Sequence, residues 1–412
     1  MPNNQLETTT DLSDELQFLI ACCQTEASKE DISQIIQHIQ HSTFNIQHSI
    51  SLASSHGILP LVYKTISKLS HDDSSIQNSK FNIQHFLSEL KPYYMAIVQK
   101  NMLMSAELIR IMKLFEDNNI EALAFKGPAL SQMAYGDITL RQYSDLDIYV
   151  HRKDMVQISE ILSHDRYDSR VELKYFSNDA FLNVNSDVQF YHKNQSVLIE
   201  IHWTVFRSAF SNTMKKIDLW ENPGKVLMQN YELSTFKTET LLLYLCMHGS
   251  KHIWERIEWI VDIDKLIRIS SKIDWKEVYR LSDIANGKTM LELGLNLSSV
   301  LFQTPLPDEI KKNNTKNKMI SQLSSDVLTT LDKKEYFSDT ELQKNYRHFR
   351  FHLSLRDTVG DKISYIGKTL FPLKSSDIEI INFPKGLLFL YYFLRPFRLL
   401  GKYFQKVFTK NH

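Results

Sequence analysis

The chain has 412 residues, and its 48 lysines and arginines balance its 48 aspartates and glutamates, so the formal net charge is zero. Neutrality argues against a basic nucleic-acid coat protein and against a supercharged acidic protein, while 43% hydrophobic residues suffice for a large core. The three cysteines, Cys22, Cys23 and Cys246, form no Cys-x-x-Cys pair, so neither a disulfide framework nor a cysteine-type zinc site is supported.

The two ends of the chain carry no export or membrane-spanning pattern. The N-terminal residues are polar and lack a basic segment ahead of an apolar one, so we predict no signal peptide. The longest apolar run near the C-terminus, residues 387–394, is far shorter than the roughly 20 residues that a membrane span requires. We therefore expect a cytoplasmic protein.

Helical patterns dominate the first part of the chain. Residues 11–70 have apolar side chains at helical spacing in several short segments, with Asp11 and Ser13 as N-cap candidates for the first. From Phe86 to Phe115 the pattern is helical again. We predict an N-terminal helical region over residues 1–95.

Strand patterns then alternate with helical ones. The predicted elements are a strand at 120–125, a helix from Pro128, a strand at 144–150, a helix at 154–162 and two strands within 181–205. Beyond Thr235 the pattern is helical. We predict an α+β fold, in which a small mixed β-sheet core (96–210) is followed by a helical domain packed on it (211–304) and a C-terminal helical region (305–412).

The segment from Ser144 to Val150 carries the strongest chemical signal. On a strand, residues two apart point to the same face, so Asp145 and Asp147 would share one face while their apolar neighbours enter the core. Adjacent carboxylates repel each other unless a cation lies between them, and oxygen-liganded Mg²⁺ (or Mn²⁺) suits such a pair. We predict that both aspartates are catalytic metal ligands.

A third carboxylate lies on a later strand, where Glu200 and His202 alternate with apolar residues. Placed beside the Asp-x-Asp strand, Glu200 would complete a three-carboxylate cluster. Such a cluster can hold two metal ions, one lowering the pKa of an attacking hydroxyl and the other neutralising a leaving phosphate. We predict a catalytic, metal-binding Glu200, and His202 on the same face is a candidate substrate-binding residue.

Lys126, Gly127 and Arg141 are candidate nucleotide-binding residues. Glycine lets backbone N–H groups approach a phosphate at a helix N-terminus, which favours anions, and the two cations could clamp phosphate oxygens. Each feature alone has an ordinary interpretation, namely a solvated Asp-x-Asp, a simple Lys-Gly turn or an exposed glutamate. Their order and spacing together favour a site.

This arrangement resembles the nucleotidyltransferase superfamily with a DNA polymerase β-like fold, and more specifically a bacterial family of uncharacterised nucleotidyltransferases. The similar segments fall within roughly residues 15–300 and are His56 to Tyr63, Phe125 to Leu130, Tyr135-Gly136, Arg141 to Asp147, Glu200 to Trp203 and His248 to Asp262.

The resemblance implies metal binding by the three carboxylates and nucleotide binding near Lys126, Gly127 and Arg141. The wider superfamily favours Gly-Ser in the turn where this chain has Lys-Gly, so the phosphate contact of that serine must come from elsewhere. The third carboxylate is a glutamate rather than an aspartate, and its longer side chain must be accommodated.

Two further polar pairs lie in the helical part. His248 and His252 are four residues apart; helix capping or core hydrogen bonding is the commoner role, and zinc is the alternative, although the glutamate of His-Glu-x-x-His is absent. Because their segment also resembles the family, both histidines and Arg256 are candidate substrate-binding residues. Asp262 and Asp264 have helical surroundings, where residues two apart do not share a face, so we predict either a structural role or a role in supporting the residues of the site.

The C-terminal segment is basic, with six lysines or arginines and no acid after Glu379. Phenylalanine and leucine recur beside these cations at helical spacing. Docking against the protein core is the plain interpretation, and peripheral contact with an anionic membrane is the alternative.

The leading hypothesis is a Mg²⁺-dependent nucleotidyltransferase, in which an acceptor oxygen attacks the α-phosphate of an NTP and pyrophosphate is released. The acceptor stays open between a small molecule, a peptide, a protein and an RNA. The alternative is a catalytically inactive adaptor or binding protein with the same fold, in one version peripheral to a membrane. A nucleic-acid binder is disfavoured by the neutral charge.

Overall fold

Helices form the N-terminal part of the protein. The computed structural model describes residues 12–25, 27–41, 44–71, 80–194, 196–207, 210, 214–332 and 340–370. The first helices are α1 (Asp14–Cys23), α2 (Lys29–Gln40), α3 (Ile46–Ser55), α4 (Leu59–His71) and α5 (Lys80–Asp117). Ser13 caps α1 by accepting a hydrogen bond from the Leu16 N–H, whereas Asp11 lies outside the described residues. The helices predicted for this region are confirmed.

A mixed five-stranded sheet follows. Its strands are β1 (Ala122–Ala124), β2 (Leu146–Val150), β3 (Tyr167–Ser169), β4 (Asp187–His192) and β5 (Leu198–His202), in the spatial order β1-β2-β5-β4-β3. Strand β5 runs parallel to β2, and the other neighbouring pairs are antiparallel. The connecting helices are α6 (Gly127–Tyr135), α7 (Met155–His164) and α8 (Asp179–Val184). The predicted α+β fold with a small mixed sheet and flanking helices is confirmed.

A hairpin and further helices complete the described chain. They are β6 (Gly224–Met228), β7 (Tyr231–Thr235), α9 (Thr238–Lys251), α10 (Ile257–Ile269), α11 (Trp275–Ile284), α12 (Lys288–Phe302), α13 (Asp308–Lys316), α14 (Lys318–Asp332), α15 (Glu341–Ser354) and α16 (Val359–Leu370). Within the described ranges, none of the helices has the length and apolar character needed to cross a membrane. The basic segment after Glu379, with its predicted docking or membrane contact, lies outside the described residues.

Some short elements differ from the sequence prediction. Strand β3 has three residues, too few for an alternating pattern to be visible. The β6–β7 hairpin turns at Gln229, whose φ of 53° is uncommon for a residue with a side chain. The strand-like run from residue 181 begins as helix α8, because the Asn178 side chain accepts a hydrogen bond from the Phe181 N–H and caps a helical turn.

The two faces of the sheet have different surroundings. Leu146 and Ile148 of β2 belong to an apolar cluster that includes side chains of α5 and α7. On the opposite face, Phe125 stacks on Phe236, with ring centroids 4.6 Å apart, and contacts Tyr244 of α9 edge to face at 5.2 Å. The polar residues that alternate along β2 and β5 therefore lie on the side of the sheet that α9 covers.

Candidate active site

The parallel pairing of β2 and β5 brings polar residues of two strands together. Asp147 lies opposite Glu200, and Tyr149 lies opposite His202. Register partners on adjacent strands point to the same face of a sheet. One ligand atom from each of Asp147, Glu200 and His202 lies within 4.8 Å of the other two. These three residues, which we call the acidic group, form the centre of the candidate site.

Asp147 is the most deeply placed member of the acidic group and is 2% exposed. Its Oδ1 accepts a hydrogen bond from Lys126 Nζ at 3.1 Å, and His202 Nε2 lies 3.2 Å from the same oxygen. Its Oδ2 is buried and has no hydrogen-bond partner among the described residues. A buried polar atom without a partner costs free energy, so Oδ2 is the atom that a bound cation would satisfy.

Two neighbouring cations keep Asp147 ionised. Burial alone would raise the pKa of this carboxyl, but the charge of Lys126 and the contacts with His202 outweigh it and lower the pKa well below its usual range. Against its own burial, His202 has its pKa raised to about 9 by hydrogen bonds to Asp147 and Glu200. His202 is therefore an imidazolium at neutral pH, and together with Lys126 it neutralises the carboxylates.

Asp145 and Glu200 flank this centre. Asp145 immediately precedes β2 and is half-buried, and burial followed by the charge of Asp147 raises its pKa to about 6. The charge of Asp147 therefore acts on Asp145, although Asp145 is not a member of the acidic group. One oxygen of Glu200 accepts a hydrogen bond from Gln189 Nε2 at 2.6 Å, and the other lies 3.6 Å from His202 Nε2.

The Lys126-Gly127 turn places the lysine beside Asp147. Gly127 has a φ of 52°, in the left-handed region, and a Cβ atom added there would come within 2.9 Å of the backbone oxygen of Asp145. Only glycine therefore lets the chain pass so close to the Asp-x-Asp segment. Pro128 follows in the first turn of α6, as the sequence predicts.

Arg141 is not brought to the acidic group but lies in a buried network with α10. Its Nε and Nη2 donate hydrogen bonds of 2.9 and 3.0 Å to the two oxygens of Asp262, and Nη2 lies 2.9 Å from Glu258 Oε1. The Tyr135 hydroxyl donates to Asp262 Oδ1 at 2.7 Å. Two acids thus hold the guanidinium, and Arg141 acts on Asp145 only through its charge, which opposes the rise in the pKa of that carboxyl.

His248 lies on α9 and His252 caps the C-terminal end of this helix. The charge of Lys126 acts on both imidazoles. Their rings are 4.7 Å apart and both contact Trp259. Burial and then the charge of Lys126 lower the pKa of His248, and burial, Lys251 and Lys126 lower that of His252 to about 3, so both are neutral. Among the described residues no third histidine, cysteine or acid completes a metal group with them, which weakens the zinc alternative.

Tyr244 and Lys251 are candidate site residues that the sequence analysis missed. Burial is the main cause that raises the pKa of Tyr244, and the charges of Lys126 and Glu200 also act on its hydroxyl. Burial and then Lys126 lower the pKa of Lys251, whereas Glu200 raises it. Both side chains therefore lie near the acidic group. Helical spacing could have found Lys251, which is three residues after His248 and shares its helix face.

The segment around His56 packs on the start of α10. His56 Nδ1 accepts a hydrogen bond from the Ile257 N–H at 3.4 Å, and its backbone oxygen accepts one from the Glu258 N–H at 3.2 Å. Gly57 has a φ of 73°, and a Cβ atom there would lie 1.7 Å from Glu258 Oε2. That oxygen lies 2.8 Å from Arg256 Nη2. The predicted substrate-binding residue Arg256 is thus partly engaged in an internal ion pair.

Comparisons with known proteins establish the class and the family. The model of the family described as "Uncharacterised nucleotidyltransferase" matches residues 42–303. The chain belongs to this family, so the resemblance seen in its sequence is confirmed.

No curated protein matches the chain significantly. Among solved structures, the crystal structure of an antigenic nucleotidyltransferase-like protein from Paracoccidioides brasiliensis is similar, with 12% sequence identity and a TM-score of 0.33, over 49% of this chain and 93% of that one.

Proposed function

We propose that the protein is a divalent-metal-dependent nucleotidyltransferase, which transfers a nucleoside monophosphate from an NTP to an acceptor and releases pyrophosphate. Membership of the family supports this reaction class. The observation that carries the proposal is the pairing of Asp147 with Glu200 on adjacent strands, with His202 within 4.8 Å and Asp145 beside them.

The donor set of the site fits a divalent cation. Carboxylate oxygens are the preferred ligands of Mg²⁺ and Mn²⁺, and Asp147 Oδ2 is a buried acceptor without a partner among the described residues. We assign Asp145, Asp147 and Glu200 as the residues that would hold the ion. When bound, it supplies charge neutralisation for the phosphates and a lower pKa for the acceptor hydroxyl.

Lys126 and Lys251 are the side chains that we assign to the triphosphate. The charge of Lys126 lowers the pKa of Lys251, so the two ammonium groups repel each other across this region. A polyanion between two such groups relieves their repulsion and favours the charged form of both. His248 and His252 are neutral and lie beside them, so they can exchange hydrogen bonds with the substrate without adding charge.

The residues of the chain act by positioning and by charge. The acceptor hydroxyl loses its proton to solvent and its oxygen forms a bond to the α-phosphorus. The bond between the α-phosphorus and its bridging oxygen breaks, and pyrophosphate leaves with that electron pair. Lys126 and Lys251 hold the leaving phosphates, and the fixed strands β2 and β5 keep the carboxylates in register. Such preorganised charge accounts for much of the catalysis in phosphoryl transfer.

A thermal-unfolding titration with each of the four NTPs, with Mg²⁺, Mn²⁺ or a chelator, tests this proposal. We expect a metal-dependent rise in Tm with at least one NTP, because a ligand that binds only the folded state stabilises it. The rise should vanish in Asp147→Asn and persist in Asp168→Asn, which removes an exposed acid paired with Lys193 at the far edge of the sheet.

Two outcomes would count against the proposal. A full metal-dependent rise in Asp147→Asn would show that the acidic group is not the metal site. If the Tm of the wild-type protein does not rise with any combination of NTP and metal, the enzyme proposal fails and the inactive adaptor takes its place.

A further inference from the structure

A cavity of about 250 Å³ lies at the end of the sheet beyond the acidic group. Its lining comes from the end of β2, from the segment after β5 and from residues 214–219, and includes Tyr149, Arg152, Trp203, Thr204 and Lys215. Tyr149 is two residues after Asp147 on β2, which is about 6.6 Å along a strand. The cavity is therefore close to the acidic group but has its own lining.

Two of the residues that line this cavity, Arg152 and Lys215, are cationic. Arg152 is fixed there, since it donates hydrogen bonds to Asn183 Oδ1 at 2.7 Å and to Asp179 Oδ1 at 2.8 Å. Lys215 is exposed overall, and partial burial of its ammonium group followed by the charge of Arg152 lowers its pKa. A guanidinium held in place beside a second positive charge is an arrangement that suits a phosphate group.

The surroundings add positive charge to the cavity. Lys368 of α16 has its pKa lowered by burial and then by the charges of Lys215 and Arg356, so these cations lie near one another. The acids near these cations are Asp361, which acts on Lys368 and Arg356, Asp357, which acts on Arg356, and Asp179, which Arg152 already engages. Asp218 acts on Tyr149 in the lining. An anion placed between the cations would relieve their mutual repulsion.

Apolar and aromatic side chains also contribute to the lining of the cavity. Tyr149, Trp203 and Leu219 contribute apolar and aromatic surface, and Thr204 contributes a buried hydroxyl that donates to the Phe206 carbonyl at 3.3 Å. A site whose lining combines cations with aromatic side chains fits a ligand with an anionic head and an organic body. A phosphomonoester, with a charge of about −1.5 to −2 at pH 7, matches two cations better than a single carboxylate does.

We propose that this cavity binds a small molecule that bears a phosphomonoester, with the phosphate on Arg152 and Lys215 and the organic part against Tyr149 and Trp203. The proposal rests on the lining of this cavity alone and does not require the metal-dependent reaction.

Calorimetric titration of the full-length protein with ribose 5-phosphate, inorganic phosphate and ribose tests this assignment. We expect ribose 5-phosphate to bind more tightly than inorganic phosphate, and ribose not to bind. Arg152→Gln and Lys215→Gln should each weaken binding by about tenfold, the effect of one lost charge-assisted hydrogen bond. Lys153→Gln and Lys216→Gln are matched controls, since each removes an exposed cation next to a lining residue but outside the lining.

The variants also separate this cavity from the acidic group. Lys126→Gln should leave the affinity for ribose 5-phosphate unchanged. Three outcomes would each overturn the proposal. In the first, Lys126→Gln loses binding and Lys215→Gln does not. In the second, the control variants weaken binding as much as the lining variants do, and in the third, ribose 5-phosphate does not bind at millimolar concentration. Lys215 is exposed, so its substitution tests the site even if Arg152→Gln unfolds the protein.

Discussion

The chain contains two Asp-x-Asp sequences, one at a β-strand and the other in an α-helix. Asp145 immediately precedes strand β2 and Asp147 lies in it, whereas Asp262 and Asp264 lie in helix α10. On the helix the two side chains point to different partners, since Asp262 pairs with Arg141 and Asp264 pairs with the arginine four residues later. On the strand, the charge of Asp147 acts directly on Asp145.

The hydrogen bonding of the two pairs differs as well. Both oxygens of Asp262 and both oxygens of Asp264 accept hydrogen bonds from protein groups. Asp147 Oδ2 is buried without a partner among the described residues. Buried acids whose oxygens are all satisfied stabilise the fold, whereas an acid with an unsatisfied buried oxygen is suited to a ligand. The difference separates a structural pair from a candidate functional one of identical spacing.

The largest expected effect on stability is that of Asp262→Asn. This substitution leaves the buried guanidinium of Arg141 without full compensation, so we expect the free energy of unfolding to fall by about 3–5 kcal/mol. Urea unfolding measures this change in the free energy of unfolding. A loss below about 1 kcal/mol for Asp262→Asn would contradict a structural network here.

Asp147→Asn should affect activity more than stability, which is the reverse of what we expect for Asp262→Asn. We expect the rate of pyrophosphate release to fall by about 10²–10³-fold, the scale of losing one preorganised charge in an active site. Stability should fall less than in Asp262→Asn, because His202 can release its proton and Lys126 is 16% exposed at its side chain. Enzyme turnover and Tm, compared with Asp168→Asn, measure both effects. Normal turnover in Asp147→Asn would remove the contrast between the two aspartate pairs.

Gly57→Ala tests the contact between the N-terminal helices and α10. The left-handed backbone alone makes alanine cost about 1–2 kcal/mol, and the Glu258 side chain must also move away from the new Cβ atom. Gly367→Ala is the matched control, since it lies in α16 with no heavy atom within 4 Å of the new Cβ and should gain up to about 1 kcal/mol. Equal stability of the two variants in urea would argue against the contact.

The smallest predicted effect is a pH dependence that arises at His56. Burial, and then the charge of Arg256, lowers the pKa of His56 to about 4, so the unfolded chain binds this proton first. Its contribution to stability is full above pH about 6.5 and is lost as the pH falls towards 4, by at most about 1.4 kcal/mol per pH unit. Urea unfolding between those pH values should show a smaller slope in His56→Gln. His164→Gln, at an exposed position, should keep the slope of the wild type.

The sequence predicted the elements around the site better than it predicted their partners. Alternation along residues 144–150 and 198–202 was enough to assign Asp147 and Glu200 to polar faces, because strand periodicity is a local property. The assignment of metal and nucleotide roles to these residues stays a prediction. Arg141 illustrates the limit, since its position four residues before Asp145 suggested a phosphate clamp, whereas its hydrogen-bond partner Asp262 is 121 residues away.

By itself, the sequence determined the α+β class, the family, the helical and strand segments and the glycine turn at Lys126-Gly127, since periodicity, capping and backbone freedom act over a few residues. Only the tertiary structure decided that β5 lies parallel beside β2 and that Lys126 and His202 contact Asp147 Oδ1. The physical reason is that a buried charge needs an opposite charge or a hydrogen-bond partner nearby in the folded chain. That partner can be far away in the sequence, where no local pattern identifies it.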